Sequence, residues 1–469
     1  MKNEALFKDK PVWSAIFSLA IPSCITILIM AIYNMADMFF IGMLGDTAQV
    51  AAVSVVGPMF SLVMAAATML GIGGCSVIAS AIGAGKKEDA KTYSSLCCMA
   101  SVLFGIFCTI VMLTATDSIL KMLGANEEIM APARAYMRAL AFGAPFMLFS
   151  TAFASILRAE GAIKEGLIGN MAGTVLNIIL DPIFILVLHQ GVTGAAVATV
   201  IGNVVSSGCY LYYILKKAAV LSVAPRYAMR KPVALLHILA VGLPNGISSL
   251  LSGFASTFSN QLLSGYGTNA IAAMAAAGKA TMLIGMIQMG ICMGVQPLMA
   301  YNYGAGNLPR LKEVLKKLGI LTFAFGAVVT IGCFAARHTL IGLFLKDVEA
   351  AAMGESLVIF LVLASPIVGF YYLSTSFLQA SQSALPATIV SVLRQGGILI
   401  PSLYLMERLM GFTGIAVAHT IADVLSTVIA AVVCIRQYQM MKSKVFHLKR
   451  IEGKGENYGK NLCKQQSGS

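Results

Sequence analysis

Four oxygen-bearing side chains in the first half of the chain have the types and spacing of a cation or proton site: Asp37, Asn177, Asp181 and Thr199. All four fall within long apolar runs. An ionisable group at such a depth costs about 2.5–3.5 kcal/mol to insert, so it points to function by default. Asn177 precedes Asp181 by four residues and shares its helix face. Pro182 follows Asp181 and has no N–H, so the carbonyl of Ile178 loses its helical partner. Two carboxylates, an amide oxygen, a hydroxyl and a freed carbonyl form a hard-oxygen set. Such a set suits Na⁺, or two acids that share a proton. Helical rise puts the groups at one level. Asp181 is about 22 Å in from one surface, Thr199 about 9 Å down from the other, and Asp37 about 36 Å along a first helix that Pro22 bends.

The second half carries a different set. Arg394 and Asp423 fall at similar depth in adjacent apolar runs and read first as a structural ion pair, with a substrate or coupling role as the alternative. Lys279 lies within snorkelling reach of a surface, and His419 reads as a helix-packing histidine or a titrating group. Met282, Met286, Met289 and Met293 form a stripe at helical spacing that ends at Gln296. Packing explains such a stripe, and so does the deformable wall of a ligand cavity.

The elements that must position these groups are membrane helices. Of 469 residues, 58% are hydrophobic and 11% charged, against about 25% charged in a soluble domain. Mean hydropathy is +0.83. Twelve spans of at least the bilayer length fit. The chain is also written twice. Gly83-Ala84-Gly85 returns as Gly304-Ala305-Gly306, Pro145 as Pro366, and Gly191-Val192-Thr193-Gly194 as Gly411-Phe412-Thr413-Gly414. Asp37 falls opposite Ser259, and Asp181 opposite the stretch Ile400-Pro401-Ser402, so the two carboxylates belong to the first copy alone. A duplicated apolar chain places a binding site between its repeats. The expected organisation is an N-terminal segment 1–12, a first six-helix lobe 13–215, a linker 216–235, a second six-helix lobe 236–437 and a disordered tail 438–469.

The net charge of +13 does not indicate nucleic acid, because most of the 33 Lys and Arg fall in segments on one side of a twelve-span arrangement. That asymmetry is the positive-inside bias; it places both termini in the cytoplasm and the protein in the cell (inner) membrane. The charged start, Met1 to Lys10, and the long apolar run after Pro11 read as a membrane helix rather than a cleavable signal. The ten cysteines have no metal or redox spacing. The histidines, His189, His237, His338, His419 and His447, are scattered, so no enzyme motif emerges.

Three motifs together are specific: Met30-Ala-Ile-Tyr-Asn-Met-Ala-Asp37, Asn177-Ile-Ile-Leu-Asp181-Pro182, and Gln296-Pro297-Leu-Met-Ala-Tyr301-Asn302-Tyr303-Gly304-Ala305. The chain resembles the multidrug and toxic compound extrusion (MATE) family, in its MepA-like branch, over essentially residues 10–437. The resemblance implies an all-α, V-shaped twelve-helix exporter with two pseudo-twofold lobes. It would expel small amphipathic organic cations in exchange for H⁺ or Na⁺ by alternating access. The family's first-lobe cation site carries over to Asp37, Asn177, Asp181 and Thr199, and its bending proline to Pro22. Second-lobe acids found in some members are absent: span seven reads Ser248 to Ser256 without an acid, and span ten offers Glu355 only near its outer end. No cofactor and no metal beyond Na⁺ at the coupling site is expected. The partners are the bilayer and the transported cations, and a monomer is expected. A lipid-linked oligosaccharide flippase is the alternative; it requires a basic cavity, and Lys279 and Arg394 are the only cations read as intramembrane.

Overall fold

The computed structural model describes residues 4–44, 46–342, 345 and 347–466, without the side chains of Glu4, Thr268, Val348 and 444–466. Among these residues there is no strand. The first lobe consists of α1 (Val12–Gly42), α2 (Thr47–Gly83), α3 (Lys87–Thr114), α4 (Glu127–Ala159), α5 (Ile163–Pro182, continued by a π turn Ile183–Val187) and α6 (Gly191–Lys216). The second consists of α7 (Ala234–Ser264), α8 (Thr268–Gly304), α9 (Leu308–Gly342), the two-part α10 (Val348–Leu363 and Ser365–Ala380), α11 (Ala384–Val392, a π turn Leu393–Ile398, then Leu399–Met410) and α12 (Phe412–Gln466). Eleven helices are long and apolar enough to cross a bilayer, and the α10 pair, bent by 47°, makes a twelfth. The protein is an all-helical, multi-pass membrane protein. The bend in α10 precedes Pro366, which lacks an N–H and crowds the preceding turn.

Local chemistry sets where these helices begin and stop. Asp46 caps α2 by accepting from Ala48 N at 2.9 Å, Asn126 caps α4 from Ile129 N at 3.0 Å, and Asp347 caps α10 from Ala350 N at 2.9 Å. After α2 and α8 the repeated Gly-Ala-Gly turns the chain through Gly85 (φ +74°) and Gly306 (φ +66°), a conformation that costs glycine nothing. Among the described residues α12 runs on as helix to Gln466, with side chains from 444 outside the described set. No proline follows Phe412, and after Gly414 the next glycine is Gly453, so nothing in the sequence stops the helix at the membrane surface.

The lobes meet through α1 and α2 against α7 and α8, in the halves of these helices nearer the basic side. A Cβ on Gly83 would strike the carbonyl of Tyr301, and a Cβ on Gly304 would strike that of Ser80. The two contacts are exchanged by the internal repeat. Gly73 lies as closely on the carbonyl of Ile238, and Gly242 on that of Met69. Small residues at such crossings let helix backbones touch, which is how helices associate where no hydrophobic effect drives them. Beyond Cys24, whose thiol points at the carbonyl of Ile287 (3.7 Å), α1 and α8 diverge, and Met35, Met38, Phe39 and Met282 stand more than half exposed. The lobes form a V closed on the basic side.

The segment between the lobes is strapped to the first. Glu160 accepts from the backbone of Ala219 and Val220, Ser94 and Ser95 both donate to the carbonyl of Ser222, and Arg230 and Lys231 pair with Glu88 (2.9 Å) and Asp89 (2.6 Å) at the start of α3.

Candidate functional site

In the open half of the first lobe, α1, α5 and α6 bring the four expected oxygen groups together. Asp181 is fully buried, Asn177 and Thr199 nearly so, and Asp37 is half-buried on α1. The two carboxylates are close enough for their charges to interact. The Asn177 amide donates to Thr199 Oγ1 (3.3 Å) in one orientation. Turned over, it donates to Asp181 Oδ2 (3.2 Å) and accepts from the Thr199 N–H (2.9 Å), which satisfies both ends and ties α5 to α6. Asp37 Oδ1 and Asp181 Oδ1 are buried with no hydrogen-bond partner. An unpaired buried carboxylate oxygen is costly unless a proton or a cation meets it. Two such oxygens, an amide and a hydroxyl fit that role.

Local sequence explains the geometry. Pro182 ends the regular hydrogen bonding of α5 one residue after Asp181, and the chain passes into the π turn Ile183–Val187. Such turns cluster at functional sites because they re-aim a helix face. α1 passes through Pro22 as one continuous helix, with Thr26 Oγ1 donating to the Pro22 carbonyl at 2.9 Å.

The structure adds residues that the sequence does not single out. Tyr33 places its hydroxyl 3.1 Å from Thr199 Oγ1, joining α1 to α6. Tyr136 of α4 lies within electrostatic reach of Asp37, Tyr33 and Asp181. Asn203 donates to the Thr199 carbonyl (2.8 Å) and accepts from Ser150 of α4 (2.6 Å). For Tyr33 the sequence does hold a signal, its place one turn before Asp37; for Tyr136 it holds none, because only helix packing brings α4 to α1.

In the second lobe Arg394 Nε donates to Asp423 Oδ1 at 2.9 Å, and the guanidinium lies over the rings of Tyr371 and Tyr372. His419, one turn before Asp423, leaves its buried Nε2 without a partner. In the repeat His419 and Asp423 match Thr199 and Asn203. Ser259, opposite Asp37, is a buried hydroxyl. Met282 is 52% exposed, Met286, Met289 and Met293 are half-buried, and Gln296 lies in the inter-lobe seam, donating to Ser76 Oγ at 2.7 Å. Lys279 is exposed and has no carboxylate in ion-pair reach among the described residues. Among the described residues no three His, Cys, Asp or Glu gather as a metal site.

The MatE family model matches the chain twice, over residues 22–183 and 244–405. The chain belongs to the MATE family of multidrug efflux transporters. Its two matches fall one in each lobe, as the internal repeat requires. Among curated relatives, the multidrug export protein MepA of Staphylococcus aureus (strain MSSA476) is 32% identical over 435 residues, 92% of this chain and 96% of that one. MepA of Staphylococcus saprophyticus is equally similar, at 32% over 435 residues. Among solved structures, an outward-facing multidrug resistance MATE transporter of the MOP superfamily superposes with a TM-score of 0.89 at 27% identity, covering 94% of this chain and 99% of that one. A MATE structure described as the bent conformation gives 0.88 at 26% identity, covering 95% of this chain and 99% of that one.

Proposed function

We propose that the protein exports small amphipathic organic cations from the cell in exchange for H⁺ or Na⁺, by alternating access, with Asp37, Asn177, Asp181 and Thr199 as the ion-coupling site. The observation that carries this reading is the pair of unpartnered carboxylate oxygens on Asp37 and Asp181, set in the open half of a cleft that is sealed on its basic side. A monovalent ion and an organic cation both compensate the same charge, so occupation by one weakens the other. Repulsion between the drug and the second lobe is limited, because Arg394 is neutralised by Asp423. The same neutralisation disfavours a basic cavity for a lipid pyrophosphate. The basic side is cytoplasmic, the protein works as a monomer in the plasma (inner) membrane with both termini inside, and no cofactor takes part.

The test is efflux of an organic cation from proteoliposomes with the pH and Na⁺ gradients imposed one at a time. One gradient alone should drive export. Export indifferent to both gradients would remove the exchange mechanism, and preferential movement of a lipid pyrophosphate would transfer the protein to the flippase class.

A further inference from the structure

A cation already sits in a cage inside the second lobe. Asp423 supplies a carboxylate oxygen 2.9 Å from Arg394 Nε. The guanidinium carbon lies 4.4 Å from the ring centre of Tyr371 and 5.2 Å from that of Tyr372, and the two rings meet edge to face, 5.6 Å apart. A carboxylate with two aromatic faces, mostly shielded from water, is the chemistry that recognises organic cations. Here the cation is the protein's own: the side chains of Arg394 and Asp423 keep only 15% and 23% of their exposure.

The walls and the occupant are held differently. Tyr371 and Tyr372 ride on the second part of α10 and Asp423 on α12, all regular α-helix. Arg394 rides on the π turn Leu393–Ile398, which contains Gly396 and Gly397. A Cβ on Gly396 would meet nothing closer than Leu251 at 3.6 Å, so the turn has room to move. Backbone of this kind, with poorer hydrogen bonding and two glycines, is where a helix yields. One wall of the cage faces α8. A Cβ on Gly285 of α8 would lie 3.7 Å from the Tyr372 hydroxyl, so this ring stands against α8 on the same stretch as Met282 and Met286. Met282, at 52% exposed, marks the open end of that stretch.

We propose that Asp423, Tyr371 and Tyr372 form a second seat for organic cations, in the second lobe, that Arg394 fills as a tethered guanidinium, and that a flat monovalent cation entering along the methionine stripe of α8 takes its place. The identity of the natural occupant rests on the export reading above; the cage itself does not. Without Arg394 the carboxylate is left buried and uncompensated, and a free cation in the cage relieves that. Self-occupation confines weakly binding cations to the first lobe and admits to the second only those that outcompete the arginine.

Purified Arg394→Ala protein tests this with two probes, guanidinium ion at low millimolar concentration and ethidium, against matched NaCl. Guanidinium should raise the thermal unfolding midpoint of Arg394→Ala and leave the wild type unmoved. Ethidium should bind Arg394→Ala about tenfold more tightly than it binds the wild type. Adding Asp423→Asn to Arg394→Ala should erase both effects. Equal guanidinium responses in Arg394→Ala and wild type, or effects that survive Asp423→Asn, would overturn the proposal. Should Arg394→Ala fail to fold, Tyr372→Leu decides, because it keeps the ion pair: ethidium affinity falls about tenfold with the ligand-free midpoint near wild type, and unchanged affinity sinks the seat. If no form of the protein binds or exports ethidium, the export reading fails, and the guanidinium arm still decides the cage.

Discussion

At the scale of single residues, two oxygens stand orphaned. Asp37 Oδ1 and Asp181 Oδ1 have no partner in the folded chain, so each awaits a proton or a cation. Asp37→Asn and Asp181→Asn keep shape and volume but remove the charge. Each should abolish gradient-driven efflux in proteoliposomes while the purified protein stays folded. Ser259→Ala, at the repeat counterpart of Asp37, should leave efflux near wild type. Normal export by Asp37→Asn would end the coupling assignment. Tyr33→Phe removes the hydroxyl that faces Thr199 at 3.1 Å. The loss of one such bond, about 1 kcal/mol, should weaken coupling-ion binding by roughly fivefold and not abolish transport. An unchanged ion dependence would put Tyr33 outside the site. That Asp37, Asn177, Asp181 and Thr199 lie together was legible in the sequence, because polar and ionisable groups are conspicuous in apolar runs and helical rise fixes their depth. Tyr136 and Asn203 were not, since neither is charged and neither is near the acids in sequence. Gln296 was misleading for the opposite reason: its spacing continues the methionine stripe, yet the crossing with α2 turns it into the seam toward Ser76.

At the scale of elements, two π turns interrupt otherwise regular helices, one after Asp181 in α5 and one carrying Arg394 in α11. Pro182 announced the first; nothing comparable announced the second, where Gly396-Gly397 is a weak signal beside a long apolar run. The Arg394–Asp423 pair ties α11 to α12 across that turn. Either single neutralisation, Arg394→Met or Asp423→Asn, leaves a mostly buried charge without its partner and should destabilise by roughly 3–5 kcal/mol. The double variant leaves no orphan and should recover much of the loss. A double-mutant cycle of thermal or denaturant unfolding checks this, and strictly additive losses would mean that the two side chains do not interact. The twelve spans themselves were legible from length and hydropathy; Pro366, noted in the sequence only as the repeat counterpart of Pro145, marks the bend in α10. The helical run of α12 past the membrane surface has one signal in the sequence, the lack of any glycine or proline between Gly414 and Gly453.

At the scale of the whole molecule, the proposed alternating-access cycle requires the sealed seam on the basic side to part. Linkage gives one consequence. Adding the coupling ion should weaken the binding of a monovalent organic cation, and the drug should weaken ion binding by the same factor. Drug titrations from pH 5 to 9, with and without Na⁺, measure this, and the Asp37→Asn, Asp181→Asn double variant should lose the dependence. The seam gives a second consequence. Its closest contacts are backbone on backbone: Gly83 against the carbonyl of Tyr301, and Gly304 against that of Ser80. Backbone atoms at a helix crossing cannot rotate aside, so a valine at either glycine has to separate α2 from α8. The wedge costs the sealed form and leaves the parted form untouched, so the population shifts toward opening on the basic side. Ser80, only 6% exposed, reports the shift. In a background whose native cysteines are replaced, a cysteine introduced as Ser80→Cys should react slowly with a membrane-impermeant maleimide applied from the basic side. Gly304→Val should raise that rate several-fold, and Gly83→Val, its repeat mate, should do the same. The effect should be smaller for Gly278→Val, because Gly278 meets nothing within 4 Å. Equal labelling rates in all three variants would mean that the glycine seam does not hold the basic side shut.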